Sequence, residues 1–259
     1  MRRAALVLTY HAIARGPAPL FVDPALLAAH LDCIVESGAT VVTVTELAAA
    51  LRGGTLPDRA LALTFDDGFA NVAVAAAPLL AERGLRATVF CVAEHIGGVS
   101  NWTSQPRSAP QLPLADAAAL SALAAAGWEI GSHGLTHERL SRLTPDRRQH
   151  ELEASRLKLE ELIGVSIRSF AYPYGSVPAG AEAELRAAGY DSACTTRIAT
   201  VARSASPFAI PRVDAHYVRR ELVLKAILDG RAPGYLAARR FAARVRRVAV
   251  SDFGEAAAG

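Results

Sequence analysis

Short runs of β-branched and apolar residues recur along the chain at positions 6–9, 41–44, 61–65, 88–92, 129–132, 167–171, 192–195 and 209–213. Runs of that length, bounded by polar or glycine-containing segments, predict strands. Between them lie longer stretches with helical spacing of apolar residues: 24–37 ending at Gly38, 46–52 capped by Thr45, 71–83 ending at Gly84, and 115–126 ending at Gly127. Two more follow, 145–163 between Thr144 and Gly164, and 179–188 stopped by Gly189. A hydroxyl residue before the first turn satisfies orphan amides, and glycine takes the left-handed conformation that ends a helix, so these signals agree with the periodicity. Strands joined through helices return parallel, and seven or eight such units at this length predict a barrel more than an open sheet. The expected fold is α/β, a (β/α) barrel of about seven or eight strands.

Composition fits this picture. A chain of 259 residues, 51% hydrophobic and 20% charged, can bury a sizeable core, which excludes a disordered or fibrous class. We expect one catalytic barrel domain over residues 1–230 and a C-terminal helical tail over 231–259. The net charge of +3 is too slight to argue for nucleic acid as a partner. Cys33, Cys91 and Cys194 are widely separated and odd in number, so neither a disulfide framework nor a cysteine zinc site is supported, and a reducing, cytoplasmic setting is expected. The apolar run 4–8 after Met1-Arg2-Arg3 is shorter than a signal-peptide core and reads as the first strand. No stretch reaches the length of a membrane span.

The tail changes the charge picture locally. In 235–250, Arg239, Arg240, Arg244, Arg246 and Arg247 fall on one side of a helix, with Phe241, Val245 and Val248 opposite. Docking on the barrel with a solvated arginine face is the expectation. Peripheral contact with an anionic membrane is the alternative, weakened by having only three apolar residues.

A barrel places its catalytic groups where strands end. Just past the predicted strand ends stand His11, Asp66-Asp67, His133 and His137, Tyr174-Gly175, and the group Arg212, Asp214 and His216. Two adjacent carboxylates cannot both be buried and ionised without a cation or donors, although Asp-Asp-Gly can also form a plain turn that caps the next helix. His133 and His137, four apart after a strand, can aim two imidazoles at one centre from a single turn of chain. One carboxylate with two imidazoles forms a mixed nitrogen and oxygen ligand set with open positions, suited to catalytic zinc or to non-haem Fe(II).

With these residues in place the chain resembles the polysaccharide deacetylases, the NodB homology domain or carbohydrate esterase family four, from about Leu6 to Val213. The matching motifs are Thr64-Phe65-Asp66-Asp67-Gly68, His133-Gly134-Leu135-Thr136-His137 and Tyr172-Pro173-Tyr174-Gly175, supported by Leu8-Thr9-Tyr10-His11 and Ala87-Thr88-Val89-Phe90. The resemblance implies Asp66 as catalytic base, Asp67, His133 and His137 as ligands of a divalent metal, most simply Zn²⁺ with Co²⁺, Ni²⁺ or Fe²⁺ as alternatives, and Pro173 and Tyr174 at the substrate, the Tyr174 amide as oxyanion donor. It implies a distorted (β/α) barrel of about seven strands, and removal of N-acetyl groups from an amino-sugar glycan or glycoconjugate, by metal-assisted attack of water on the acetyl carbonyl. O-acetyl esters, small cyclic amides, or glycan binding without turnover are the alternatives.

Three departures from the family pattern matter. Where the third motif has an arginine that pairs with the catalytic aspartate, this chain has Ala171; Arg212 is the replacement candidate, and Arg168 is worse placed at the strand start. Gly134 stands where a hydroxyl residue can brace the metal loop. The family's late Leu-His is absent, leaving His11 and His216 as candidates for the general acid. Phe69, Trp102, Tyr172 and Tyr174 are candidates for stacking on sugar rings, and the long proline-rich loop 101–113 is expected to shape the site.

Overall fold

The computed structural model describes residues 4–105 and 108–256, with side chains up to residue 245. In chain order the elements are β1 (Leu6–Tyr10), β2 (Ala12–Ile13), β3 (Phe21–Val22), α1 (Pro24–Glu36), β4 (Thr40–Val41), α2 (Val44–Arg52) and β5 (Ala60–Phe65). Then come α3 (Ala77–Ala81), β6 (Thr88–Cys91), α4 (Ala117–Ala125), β7 (Glu129–Ser132), α5 (Pro145–Ile163), β8 (Ser169–Ala171), α6 (Ala181–Ala187) and β9 (Ser192–Cys194). The chain ends with β10 (Val213–Asp214), α7 (Glu221–Leu228) and α8 (Pro233–Ala256).

The main sheet is parallel throughout and runs β10-β1-β5-β6-β7-β8-β9, with β4 beside the start of β5. It curls until its edges approach. Cys194 in β9 bridges to Ile210, three residues before β10, and β10 pairs with β1. Side chains alternate along each strand, so each strand feeds two cores. Val7, Ala62, Phe90, Ala171, Cys194 and Ile210 form the inner cluster, while Leu6, Leu8, Leu61, Leu63 and Val89 pack outward with the helices.

Helix α2 adds Val44, Leu47, Ala48 and Leu51 to the inner cluster. Its first turn bonds to the beginnings of β6 and β7: the Val44 amide donates to Thr88 Oγ1, and the Thr45 amide and hydroxyl donate to the Glu129 carboxylate. It therefore closes the N-terminal end of the barrel and leaves the C-terminal mouth open.

Several local expectations are corrected. The strand expected over 41–44 is only Thr40–Val41, because Thr43 and Glu46 form a reciprocal capping box, and the helix starts at Val44 rather than after Thr45. The helix expected over 71–83 opens with a wide turn at Val72–Ala76, where the Ala77 amide reaches back to Val72; Pro78, which has no amide proton to donate, follows directly. The short pair β2 and β3, and helix α7, lie outside the runs singled out in the sequence. In α8, Leu236 is buried and Tyr235 and Ala243 pack against the core, whereas Phe241 and Val245 are exposed. The docking face is thus rotated away from the apolar stripe read from the sequence, and the side chains of Arg246, Arg247 and Val248 lie outside the described residues.

Candidate active site

Loops from four strand ends and the segment leading into β10 meet around a cavity of about 860 Å³. His11 follows β1, Asp66 and Asp67 follow β5, His133 follows β7, Tyr172 follows β8, and Arg212 precedes β10. All six line the cavity, together with His137 and Tyr174. The loop 101–113 contributes Trp102, Gln105 and Pro110, which fits the role expected of it.

Asp67, His133 and His137 are buried, with one ligand atom from each lying within 4.8 Å of the others. Nε2 of His133 and Nε2 of His137 stand 3.5 and 3.4 Å from Asp67 Oδ1. Charge-assisted hydrogen bonds are shorter than this. Tetrahedral ligands at about 2.1 Å from a cation would stand about 3.4 Å apart, so the spacing fits a shared metal centre.

The outer nitrogens fix the rings. His133 Nδ1–H donates to the Ala171 carbonyl at 2.7 Å, which leaves Nε2 bare toward Asp67. His137 Nδ1 is 3.1 Å from the Tyr174 hydroxyl, which is 3.0 Å from Ser104 Oγ, and the Ser104 hydroxyl donates to the His137 carbonyl at 2.8 Å. One consistent set of protons has Nδ1–H donating to Tyr174 and Tyr174 donating to Ser104, so His137 also presents a bare Nε2. Trp102 packs on His137 with ring centres 4.4 Å apart. Burial pushes His133 down to about 4, so the ring is neutral at pH 7 and available as a ligand. For Asp67, burial opposes ionisation, but the neighbouring imidazoles, His137 foremost, hold the carboxyl well below its usual range.

Asp66 makes a separate contact. Arg212 Nη1 and Nη2 donate to its two carboxylate oxygens, both at 2.7 Å, and both side chains are buried. Nε of the same guanidinium donates to the Thr195 carbonyl, and Nη1 also reaches Thr64 Oγ1. Burial works against the Asp66 charge, but Arg212 and then His133 lower its pKa, so the carboxylate is ionised. Arg212 thus supplies the cation missing at Ala171, from the opposite side of the barrel seam.

Asp67, His137 and Tyr174 all adopt positive φ, at 69°, 64° and 57°. Left-handed backbone at bulky residues is unfavourable, and its concentration in the three site loops indicates that packing enforces it. The His133–His137 loop is braced from α5. Buried Glu151 accepts from the Leu135 and Thr136 amides and from the Thr136 hydroxyl. Gly134 has φ 86°, and a Cβ there would stand 3.3 Å from Glu151 Oε2. The support that a hydroxyl residue after His133 would give therefore comes from Glu151.

His11 and His216 are separated by the structure. His11 lines the cavity, its Nδ1 is buried without a hydrogen-bond partner, and Asp214 Oδ2 lies 3.9 Å away. Burial disfavours its protonation, but Asp67, Asp66 and Asp214 outweigh burial and raise its pKa. His216 sits in the turn after β10 and does not line the cavity. Pro173 is buried behind the Gly134 turn and also lies outside the cavity wall, whereas Phe69 joins it. Ser104, Glu151 and the Thr195 carbonyl were not singled out from the sequence. Glu151 had one signal, since it shares an i, i+4, i+8 helix face with Ser155 and Leu159, both buried.

The fold and the site together define a (β/α) barrel with an Asp-His-His cluster at its mouth. The family model "Polysaccharide deacetylase" matches residues 53–193, more than half of the chain, and the chain belongs to that family. YxkH of Bacillus subtilis (strain 168), a protein named for the same family, is 27% identical over 211 residues, covering 80% of this chain and 70% of YxkH. Two solved structures share the fold. IcaB from Ammonifex degensii superposes with TM-score 0.74 at 24% identity, covering 86% of this chain and 97% of that one. The Streptococcus pyogenes deacetylase PplD, solved with acetate, gives 0.72 at 21% identity, covering 83% and 93%.

Proposed function

We propose that this chain is a divalent-metal-dependent hydrolase that removes N-acetyl groups from an amino-sugar glycan or glycoconjugate. The observation that carries the reading is the Asp67, His133 and His137 cluster, open to the cavity and standing beside the ionised Asp66. A divalent cation on those three residues, most simply Zn²⁺, would acidify water and polarise the acetyl carbonyl.

The chain's own groups do the rest. Asp66 accepts the proton of the attacking water at a carboxylate oxygen, and Arg212 keeps that carboxylate ionised and fixed in orientation through both Nη atoms. The Tyr174 amide donates to the oxyanion as the carbonyl becomes tetrahedral. His11 gives a ring proton to the departing amine; its place in the cavity and its raised pKa support that role over His216. Trp102 and Phe69 offer apolar wall to a sugar ring. The buried free thiols of Cys33, Cys91 and Cys194 suit a reducing, cytoplasmic setting.

The test is acetate release from N-acetylated oligosaccharides by Zn²⁺- or Co²⁺-loaded protein. Asp66→Asn should lower the rate by about 10² or more with metal retained. Unchanged turnover in that variant removes Asp66 from the mechanism, and release from O-acetyl glycans alone would reassign the substrate bond.

A further inference from the structure

Next to the catalytic cavity lies a second one of about 390 Å³ that the mechanism does not use. Its walls include Arg197, from the loop after β9, and Arg240 and Arg244, one helical turn apart on α8. No aspartate or glutamate lines it. Among the described residues, none of these three guanidinium groups has a hydrogen-bond or ion-pair partner, although most arginines elsewhere in the fold do. All three are exposed, so water screens their mutual repulsion, and an anion seated in the cavity would draw on all three without displacing an existing partner.

The two cavities are continuous in their walls. Thr196, Ile198 and Ala243 line both, and Gly175, next to Tyr174, lines the arginine-bearing one. Arg197 is tied to the catalytic arginine, since its carbonyl accepts from the Arg212 amide at 3.1 Å. The catalytic cavity sets Asp66, Asp67 and Asp214 against Arg212, and a divalent cation on Asp67, His133 and His137 would balance the remainder, so the uncompensated charge along the adjoining walls is the positive charge of Arg197, Arg240 and Arg244. A neutral glycan gains nothing from that charge, whereas a glycan with an anionic substituent is oriented by it.

We propose that Arg197, Arg240 and Arg244 form an anion subsite for a phosphoryl group carried by the glycan substrate, a phosphomonoester or phosphodiester on or near the sugar that is deacetylated. The planar guanidinium fork matches phosphate oxygens two at a time, which favours phosphoryl over a smaller charge. A cavity of 390 Å³ holds on the order of a dozen waters at about 30 Å³ each, ample for that group. The proposal rests on the deacetylase reading for its catalytic consequence, and on the arginine geometry alone for binding.

Two measurements separate these. In the first, metal-loaded full chain is assayed on an N-acetylated oligosaccharide and on its phosphorylated counterpart. The ratio of kcat/KM, phosphorylated over neutral, should exceed ten at low salt, fall as salt rises, and drop to about one in the double variant Arg240→Glu and Arg244→Glu. Lysine at both positions should keep part of the preference. A wild-type ratio of one with the neutral glycan turned over overturns the subsite and leaves the deacetylase reading standing. In the second, inorganic phosphate is titrated calorimetrically into the metal-free full chain, wild type and double glutamate variant, so that no metal competes for the anion. Weaker binding to the variant, tenfold or more, supports the subsite even if neither glycan is hydrolysed; equal binding overturns it. Vesicles containing phosphatidylglycerol distinguish the other source of phosphoryl groups: arginine-dependent sedimentation with a ratio of one would assign these residues to a lipid surface and overturn the proposal.

Discussion

Replacing Arg212 by methionine isolates the charge that compensates for Ala171. The variant keeps an apolar side chain of similar length but leaves the Asp66 carboxylate, buried to 5% exposure, without the two charge-assisted bonds it receives at 2.7 Å. Removing one partner of a buried ion pair costs about 3–5 kcal/mol, because the remaining charge stays desolvated. The Thr195 carbonyl and Thr64 hydroxyl lose a donor as well, which places the expected loss in the upper part of that range. The pH dependence gives the sharper signal. In the wild type the folded pKa of Asp66 is depressed, so its contribution is present above the unfolded carboxylate pKa and is lost as pH falls through the folded value. Without Arg212, burial raises the pKa, and the variant gains stability by taking up a proton as pH falls. Urea unfolding at pH 7.5 and pH 5 should therefore show a large gap between the proteins that narrows on acidification, and the acidic limb of kcat/KM should move to higher pH. A gap below about 1 kcal/mol with no pH dependence would refute the account of the pair. Arginine at 171 together with alanine at 212 should restore much of the loss, because Ala171 shares the inner cluster with Phe90, over whose ring the Arg212 guanidinium lies.

Three further outcomes follow from the same geometry. His133→Ala should lose the metal, measured by stoichiometry after dialysis, and full retention would sink the ligand assignment. Glu151→Ala leaves two loop amides and a hydroxyl without their acceptor, so it should lower stability by about 2–4 kcal/mol and weaken metal affinity about tenfold or more; wild-type affinity would show that the loop holds its shape alone. His30 is buried between the Tyr10 hydroxyl and the Val218 carbonyl, and burial lowers its pKa to about 4. Its neutral form is the folded one, so stability should fall as pH drops from about 6.5 to 4, by up to about 3 kcal/mol, and His30→Gln should remove that part of the slope.

The sequence by itself determined the alternation of strand and helix, the parallel sheet that alternation implies, and the candidate metal cluster, because Asp66-Asp67 and His133 with His137 are each local to one strand end. Periodicity and short motifs are properties of neighbouring residues, and neighbouring residues are what a sequence displays. Where local signals conflicted, as at 41–44, the capping box of Thr43 and Glu46 prevailed over β-branched residues. The tertiary structure alone decided which distant groups meet. Arg212 reaches Asp66 across 146 positions because the curled sheet sets β10 beside β1 and β1 beside β5. Glu151 braces the histidine loop because α5 packs behind it, and His11 rather than His216 enters the cavity because β1 ends at the mouth while the turn after β10 leads away. The direction of the tail helix was likewise undetermined, since an amphipathic pattern offers two faces and only the barrel's shape selects Leu236 and Ala243 as the buried one. Long-range contacts depend on how elements pack, and no stretch of chain carries that information alone.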